Sequence, residues 1–465
     1  MLNWDSLTFG RLDAESDQDL MNYFVENGYV DQVKSGNFLV LGRKGSGKTA
    51  VLRKLESDLA RKAVALELEQ YKFYVHRGLV EEGVPPPMAF TASWRLFFYL
   101  AGYLSIRDRL PSATKKRIDK SIKFVSEGSK KGPVMTMLSW IRQVRGFELP
   151  VVSGGLQWEG ADQNSHFTNE LEQVCKEILE VLKEARWQNE VMLLMDRLDE
   201  CWNGGEDDLR IIAGAARAAR IVNRELSNFT APYVVIFLRT DIWDRLIFND
   251  KQKFNQDTVR IEWNREMLVE VLKERIASTG GVSKAEAWSS VFHGEQMRQR
   301  ASVETYFYQR SMGRPRDLIA FAGDALNVRN ERCRVEGGSG VILSQDIYVA
   351  ESDYSRHLVD ELVDEFSFHH SVDAMRDIIS SVGKRNFDVE EWVANALKCG
   401  LNEGAAKDLL NDLIEASAVG VYSPGGGGGG TKTKYRFEYR HQKYDSASKL
   451  QFNKGLVQDF NLKDA

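Results

Sequence analysis

Apolar runs and helical periodicities alternate over the first 265 residues. NFLVLG, residues 37–42, is a short apolar run that stops at glycine, the pattern of a buried strand. Val51, Leu52, Leu55 and Leu59 then recur at helical spacing, which predicts a helix from Lys48 to Arg61. AVALELE, 63–69, reads as a second strand. EVMLLMD, 190–196, and YVVIFLRTD, 233–241, are apolar without alternation, as parallel strands buried on both faces are. VRIEW, 259–263, is the next strand, and a helix is expected over 207–227. Strands interleaved with helices predict an α/β fold with a parallel sheet.

Between these strands, residues 70–190 read as mostly helical. GVPPP at 83–87 interrupts them, and SWRLFFYLAGYLSI, 93–106, is apolar nearly all round and should be buried. GFELPVVSGGLQWEG, 146–160, suggests two short strands about Gly154-Gly155, and a helix follows from Phe167 to Arg186 with Leu171, Val174, Ile178 and Leu182 on one face. Helices dominate 265–330. From about residue 355, three helical segments run to Ser417, followed by VGVYS, six glycines at 425–430 and KYRFEYR. Helices that end in a hairpin with a glycine tip predict a winged-helix-like C-terminal domain. The expected divisions are 1–84, an N-terminal segment with the first half of the core; 85–165, a helical insertion; 166–264, the second half of the core; 265–350, a helical lid; and 351–465, the winged-helix-like domain.

Composition narrows the choices. The 465 residues carry 62 Lys and Arg against 67 Asp and Glu, a formal net charge of −5, which excludes a uniformly basic nucleic-acid coat. With 43% hydrophobic and 28% charged residues the chain can bury a sizeable core. No run of 18 apolar residues predicts a membrane span, and the acidic N-terminus lacks a signal pattern. Cys175, Cys201, Cys333 and Cys399 are widely spaced, without a CxxC pair, so the natural compartment is a reducing cytoplasm.

The candidate chemistry begins at Gly42. GRKGSGKT, from Gly42 through Arg43, Lys44, Gly45, Ser46, Gly47 and Lys48 to Thr49, satisfies G-x-x-x-x-G-K-S/T, with a strand before it and a helix, opened by Lys48, Thr49 and Ala50, after it. Glycines allow a tight turn that points several N–H groups at phosphate oxygens, and the helix N-terminus adds its positive dipole end. Lys48 supplies a point charge for the β and γ phosphates of ATP, and Thr49 a hydroxyl for Mg2+. The second half of such a site is an acid ending a neighbouring strand. VMLLMDRLDE offers Asp196 for the metal shell, then Asp199 and Glu200. Glu200 is the favoured base for the attacking water and Asp199 its alternate.

The strand–D–x–hydrophobic–D–E form resembles the Walker B segment of STAND-class ATPases, NACHT modules included, and of KAP-type ATPases. FGRLDAESD (9–17), LVLGRKGSGKTA (39–50), MLLMDRLDECW (192–202), FLRTDIWDRL (237–246) and MGRPRDL (312–318) together look like a group of bacterial AAA+-related P-loop ATPases. The resemblance implies ATP binding and hydrolysis. It also implies γ-phosphate sensors: Arg239 with Thr240 at the end of one strand, and Arg316, with Arg314 as alternate, from the lid. Phe9 would stack near adenine, with Asp13 or Glu15 bonding nearby. About 148 residues separate Lys48 from Asp196. That spacing argues against a plain hexameric motor and for a switch ATPase with an insertion.

Three surfaces qualify this expectation. Residues 107–131 carry nine Lys/Arg against three Asp/Glu, a patch that a nucleic acid or an acidic partner would meet. The expected third helix of the C-terminal domain, 405–417, carries Asp408, Asp412 and Glu415 against Lys407 alone, the wrong sign for a DNA-recognition helix, while Lys432, Lys434, Arg436 and Arg440 keep a DNA reading of the wing open. Arg210, Arg217, Arg220 and Arg224 include a candidate arginine finger for a neighbouring copy. The expectation is therefore a cytoplasmic Mg-ATP-dependent ATPase, slow without a partner. It would act as a regulatory switch on a protein effector, in a bacterial conflict or phage-defence module by family analogy, with no membrane role. A homo-oligomer is compatible with it. A nucleic-acid-stimulated motor or loader is the alternative, and a nucleotide-binding scaffold without turnover a third class.

Overall fold

The computed structural model describes residues 2–58, 63–67, 85–121, 162–184, 191–198, 202, 205–226, 232–337, 340–366, 370–423 and 432–463. The strand pair expected at 146–160, the second half of the basic stretch and the six glycines lie outside them. The chain forms two compact units. One comprises Asn27–Leu41 and Val51–Arg260; the other comprises Met1–Glu26, Gly42–Ala50 and Ile261–Ala465.

The first unit is built on a five-stranded sheet. Its strands are β1 (Leu39–Gly42), β2 (Ala63–Glu67), β3 (Met192–Asp196), β4 (Val234–Arg239) and β5 (Thr258–Arg260), in the order β2-β3-β4-β1-β5. β2 with β3, β3 with β4 and β1 with β5 pair in parallel. β3 and most of β4 are buried, which is why their sequences are apolar without alternation. α1 (Tyr29–Lys34) precedes β1, and α2 (Lys48–Asp58) follows it after a five-residue loop. Trp263, expected inside the last strand, lies beyond the end of β5.

The described part of the segment expected to form an inserted module, 85–121, packs into this unit's main core. α3 (Pro86–Ile106) buries Trp94, Phe97, Phe98, Tyr99, Leu100 and Tyr103 in one cluster with Leu193, Met195 and Val234 of the sheet. A helix apolar on all sides must be covered on all sides, and α6 (Glu206–Glu225) and α5 (Asp162–Glu184) help to cover it. α6 meets α3 with small residues. A Cβ at Gly214 would lie 2.7 Å from Phe90 Cβ and 3.1 Å from its carbonyl carbon, so only glycine admits this approach. Trp94 Nε1 donates to Ile211 O at 3.0 Å across the same contact. The prolines at 85–87 begin α3, with Pro86 in its first turn, where a missing N–H costs nothing.

The basic stretch continues into α4 (Ser112–Ser121), whose Ile118 is buried. Part of its charge is spent internally: Arg107 Nε donates to Asp119 Oδ1 at 2.9 Å, and Lys115 Nζ lies 3.7 Å from Asp108. Arg109, Lys116, Arg117 and Lys120 are exposed. No helix among the described residues is long and apolar enough to cross a membrane.

The second unit is mainly helical. α8 (Arg265–Gly280), α9 (Lys284–Val291), α10 (Val303–Arg310), α11 (Pro315–Glu336) and α12 (Ser344–Phe366) pack around Tyr306, Phe307, Phe321 and Tyr354; the rings of Phe321 and Tyr354 stack at 4.4 Å. α12 runs through the division expected at residue 350. α13 (Val372–Val382), α14 (Val389–Lys398) and α15 (Glu403–Glu415) follow. Their sheet has four strands in the order β6-β9-β7-β8: β6 (Asn386–Asp388), β7 (Val419–Ser423), β8 (Lys432–Lys434) and β9 (Lys449–Phe452), with every pairing antiparallel.

The sequence pattern does not show β6 or β9, and KYRFEYR is a strand only at its start. From Tyr435 the chain turns, because its side chains have other partners. Phe437 packs on Gly313, Tyr435 stacks on Phe437 at 5.8 Å, and Arg436 bonds Glu415.

Candidate functional site

The glycine loop Gly42–Thr49 leaves β1 and enters α2. Gly45 and Gly47 hold φ of +74° and +93°, left-handed conformations that glycine adopts without strain. A Cβ on Gly45 would also lie 3.2 Å from Arg316 Cβ and 3.6 Å from Arg314 Cδ, so the loop and the start of α11 touch through glycine. Ser46 is buried and its Oγ has no hydrogen-bond partner among the described residues; a Cβ at Gly42 would collide with it. Lys48 Nζ donates to Gly42 O at 3.1 Å and Arg43 O at 3.2 Å, closing the loop on itself. Thr49 and Ala50 are half-buried in the first turn of α2.

The loop clusters with the helical unit rather than with the strand that leads into it, and its side chains show why. Arg43 donates to Met312 O at 2.7 Å, to Ser417 Oγ at 3.2 Å and to Ala416 O. Met312 precedes α11, and Ala416 and Ser417 join α15 to β7. Trp263 Nε1 donates to Ser46 O at 2.8 Å, and Arg314 Nη1 approaches Lys44 O at 3.4 Å. Trp263 and the turn after α15 are neighbours of the loop that the sequence does not disclose. Hundreds of residues separate them from the loop, and a tryptophan at a strand end carries no motif.

The two arginines at the start of α11 differ in kind. Arg314 is fully buried and committed. Its Nε donates to Asp317 Oδ1 at 2.9 Å, and Glu365 lies 3.8 Å from Nη1. Burial opposes its charge, but Asp317 and Glu365 outweigh burial and raise its pKa further. Arg316 is partly exposed and its Nη1 donates to Glu361 Oε2 at 3.1 Å. Lys44 Nζ lies 3.9 Å from Glu361 and 3.7 Å from Asp364. Burial works against ionisation of Glu361, yet Arg316, Lys44 and Arg314 together hold its carboxyl below the usual range. Of the two, Arg316 is the more exposed.

The N-terminal motif has a different role from base stacking. Phe9 is 2% exposed and stacks on Phe292 at 6.3 Å, so no ring face remains for a ligand. Arg275 donates to Phe9 O and lies 3.2 Å from Asp17, which also accepts from Tyr23 Oη. Gly10, at φ +72°, leaves space for that guanidinium. FGRLDAESD is thus pinned to α8 by its two buried ends, Phe9 and Asp17. Asp13 lies in the middle of the segment, between those buried ends, and is held below the usual carboxylate range by the Ser16 hydroxyl and N–H and then by Arg11 and Arg316. Glu15 is exposed.

In the sheet unit, Asp196 ends β3, is buried, and accepts from Arg197 N at 2.9 Å. Arg197 has φ +59°, a left-handed conformation rare for a residue with a side chain. Met195 pairs with Ile236, so Asp196 and Arg239 stand at the same end of two neighbouring parallel strands. Arg239 forms a two-point ion pair with Asp241, at 2.8 and 3.1 Å, and Thr240 opens α7 (Thr240–Arg245). Asp199 and Glu200 lie outside the described residues. On α6, Arg210 pairs with Asp207 at 3.0 Å and Arg220 with Asp257 at 3.0 Å, while Arg224 is exposed and Arg217 half-buried.

Residues 266–363 match the family described as FunZ-associated C-terminal helical domain. That stretch is helical throughout its main elements, from α8 to near the end of α12, and it contains Arg314, Arg316 and Glu361. No curated protein matches the chain.

Proposed function

We propose that this chain is a P-loop ATPase that uses Mg-ATP as a regulatory switch. The observation that carries the reading is the glycine loop itself: a complete G-x-x-x-x-G-K-T between a buried strand and a helix, with two glycines at positive φ and Arg316 against it. The loop N–H groups and Lys48 bind the phosphates, and Lys48 exchanges its bonds to Gly42 O and Arg43 O for phosphate oxygens. The orphaned Ser46 Oγ and the glycine cradle suit a polar anionic ligand. Thr49 and Asp196 are the residues that would hold magnesium, which when bound neutralises phosphate charge. Glu200 takes the proton of the attacking water, with Asp199 as alternate. Arg316 reads the terminal phosphate from the lid, and Arg239 does so from β4.

The switch part of the proposal rests on Arg43. It joins the phosphate loop directly to the turn between α15 and β7, so a loop that moves on binding pulls on the C-terminal domain. The helix–strand–helix–helix–strand–strand–strand order of 372–452 supports a winged-helix-like reading of that domain. The acidic α15 and the engagement of Arg436 with Glu415 favour packing or a protein effector over DNA.

The test compares the parent chain with Lys48→Ala and Glu200→Gln. Lys48→Ala is expected to lose nucleotide binding. Glu200→Gln is expected to keep ATP but to release phosphate at least about a hundredfold more slowly, the scale of a lost general base. Equal phosphate release from all three proteins would refute the proposal.

A further inference from the structure

α12 brings a row of carboxylates to the glycine loop. Glu361 Oε2 is 3.1 Å from Arg316 Nη1 and 3.9 Å from Lys44 Nζ, and Asp364 is 3.7 Å from the same Lys44. Glu365 and Asp317 flank Arg314 at 3.8 and 2.8 Å. Three cations, Lys44, Arg314 and Arg316, thus face four carboxylates. Arg314 and Asp317 are buried and bonded to one another, so they form a fixed pair. Arg316, Lys44, Glu361 and Asp364 are the movable members.

We infer that Glu361 is an internal counter-anion that occupies Arg316 and Lys44 and must be displaced when a nucleoside triphosphate binds. The inference rests on the ATPase reading and adds the regulation of its site. A guanidinium bonded to a neighbouring carboxylate already has its best partner, so a phosphate gains less from it. A carboxylate that stays beside the incoming phosphate repels it, because the two carry like charge. Both effects weaken binding, and both fall most heavily on the terminal phosphate, the one Arg316 addresses. Binding in turn releases Glu361 from the lid, which frees α12 to shift. The α12 carboxylates therefore set how much triphosphate is needed to change the state of the helical unit.

The experiment is calorimetric titration of the full chain with a slowly hydrolysed ATP analogue and with ADP, both with magnesium, on the parent, Glu361→Gln, Asp364→Asn, Arg316→Ala and the double variant Glu361→Gln/Arg316→Ala. Glu361→Gln keeps the side-chain shape and removes the charge. It should tighten the ATP analogue about tenfold and ADP only about twofold, the scale of one like charge removed from beside a bound anion. Asp364→Asn, at an exposed position where folding is not at risk, should tighten the analogue about twofold to threefold. The gain from Glu361→Gln should vanish in the Arg316→Ala background. If the parent binds the analogue and neither Glu361→Gln nor Asp364→Asn tightens it, the counter-anion is wrong while the ATPase reading stands. A gain that persists without Arg316 overturns the role of that arginine. If the parent binds no nucleotide, the ATPase reading falls and this inference with it.

Discussion

Replacing Arg43 by alanine removes three hydrogen bonds at once, to Met312 O, Ala416 O and Ser417 Oγ. Each has a charged donor, worth about 1.5–3 kcal/mol where it is well shielded. Arg43 is half-buried, so water replaces part of what is lost. Ser417 Oγ keeps its second contact, accepting from Phe437 N at 3.1 Å. Ala416 and Ser417 are themselves buried, and their acceptors do not all regain a partner. Ser417 also holds φ +63°, a conformation that costs a residue with a side chain about 1–2 kcal/mol and persists only while its neighbours enforce it. The net expectation is a local loss of about 2–4 kcal/mol at the turn between α15 and β7. The amides to follow are Ala416, Ser417 and Ala418, which donate to Asp412 O, Ile414 O and Leu413 O at 2.8, 2.9 and 2.9 Å. Their hydrogen exchange should accelerate by about 30- to 1,000-fold, while amides in β3 and β4 keep their rates. Arg43→Lys, which retains a charge but not the planar fork, should fall between the two. Unchanged protection at 416–418 in Arg43→Ala would show that the loop does not hold this turn and would remove the structural support for the switch.

Two further expectations concern packing and charge. Gly214→Ala places a methyl 2.7 Å from Phe90 Cβ, so α3 and α6 must separate; it should destabilise the sheet unit by about 1–3 kcal/mol in urea unfolding, and an unchanged midpoint would refute the close approach. Burial, reinforced by Asp353 and opposed by His357, raises the pKa of Asp324 to about 6. Because the folded state binds this proton more tightly than the unfolded chain, the contribution is greatest below pH 3.8 and is lost as pH rises through about 6. Asp324→Asn should therefore raise stability at pH 7 by about 1 kcal/mol, reduced for partial exposure, and the gain should disappear below pH 4, as thermal unfolding across pH would show.

Several features were legible from residue pattern alone. The apolar runs before Gly42, Asp196 and Thr240 are strands, because a strand buried on both faces needs no alternation. Pro315 opens a helix because its ring suits a first turn. The spacing of Gly45, Gly47 and Lys48 is equally local: whether a residue adopts positive φ depends mostly on its own side chain. The pattern failed where an element's identity depends on a distant partner. β6 and β9 are three and four residues long and become strands only by pairing with each other and with β7. Phe9 and Phe437 sit in segments that look like ligand or wing residues, and each is consumed by packing, on Phe292 and Gly313. Arg314 and Arg316 stand two positions apart in one motif. Only the placement of Asp317 and Glu365 makes the first a buried structural ion and leaves the second facing the loop.

Sequence by itself determined the local chemistry: which residues turn, which helices begin, which strands must be buried, and where the glycine loop stands. Tertiary structure decided what each charge and ring is spent on. It placed α3 in the sheet core, tied Arg43 to Ala416 and Ser417, and set Glu361 against Arg316. Backbone conformation and burial demand follow from a residue and its near neighbours, whereas an ion pair or a packing contact exists only once folding brings remote segments within a few ångströms.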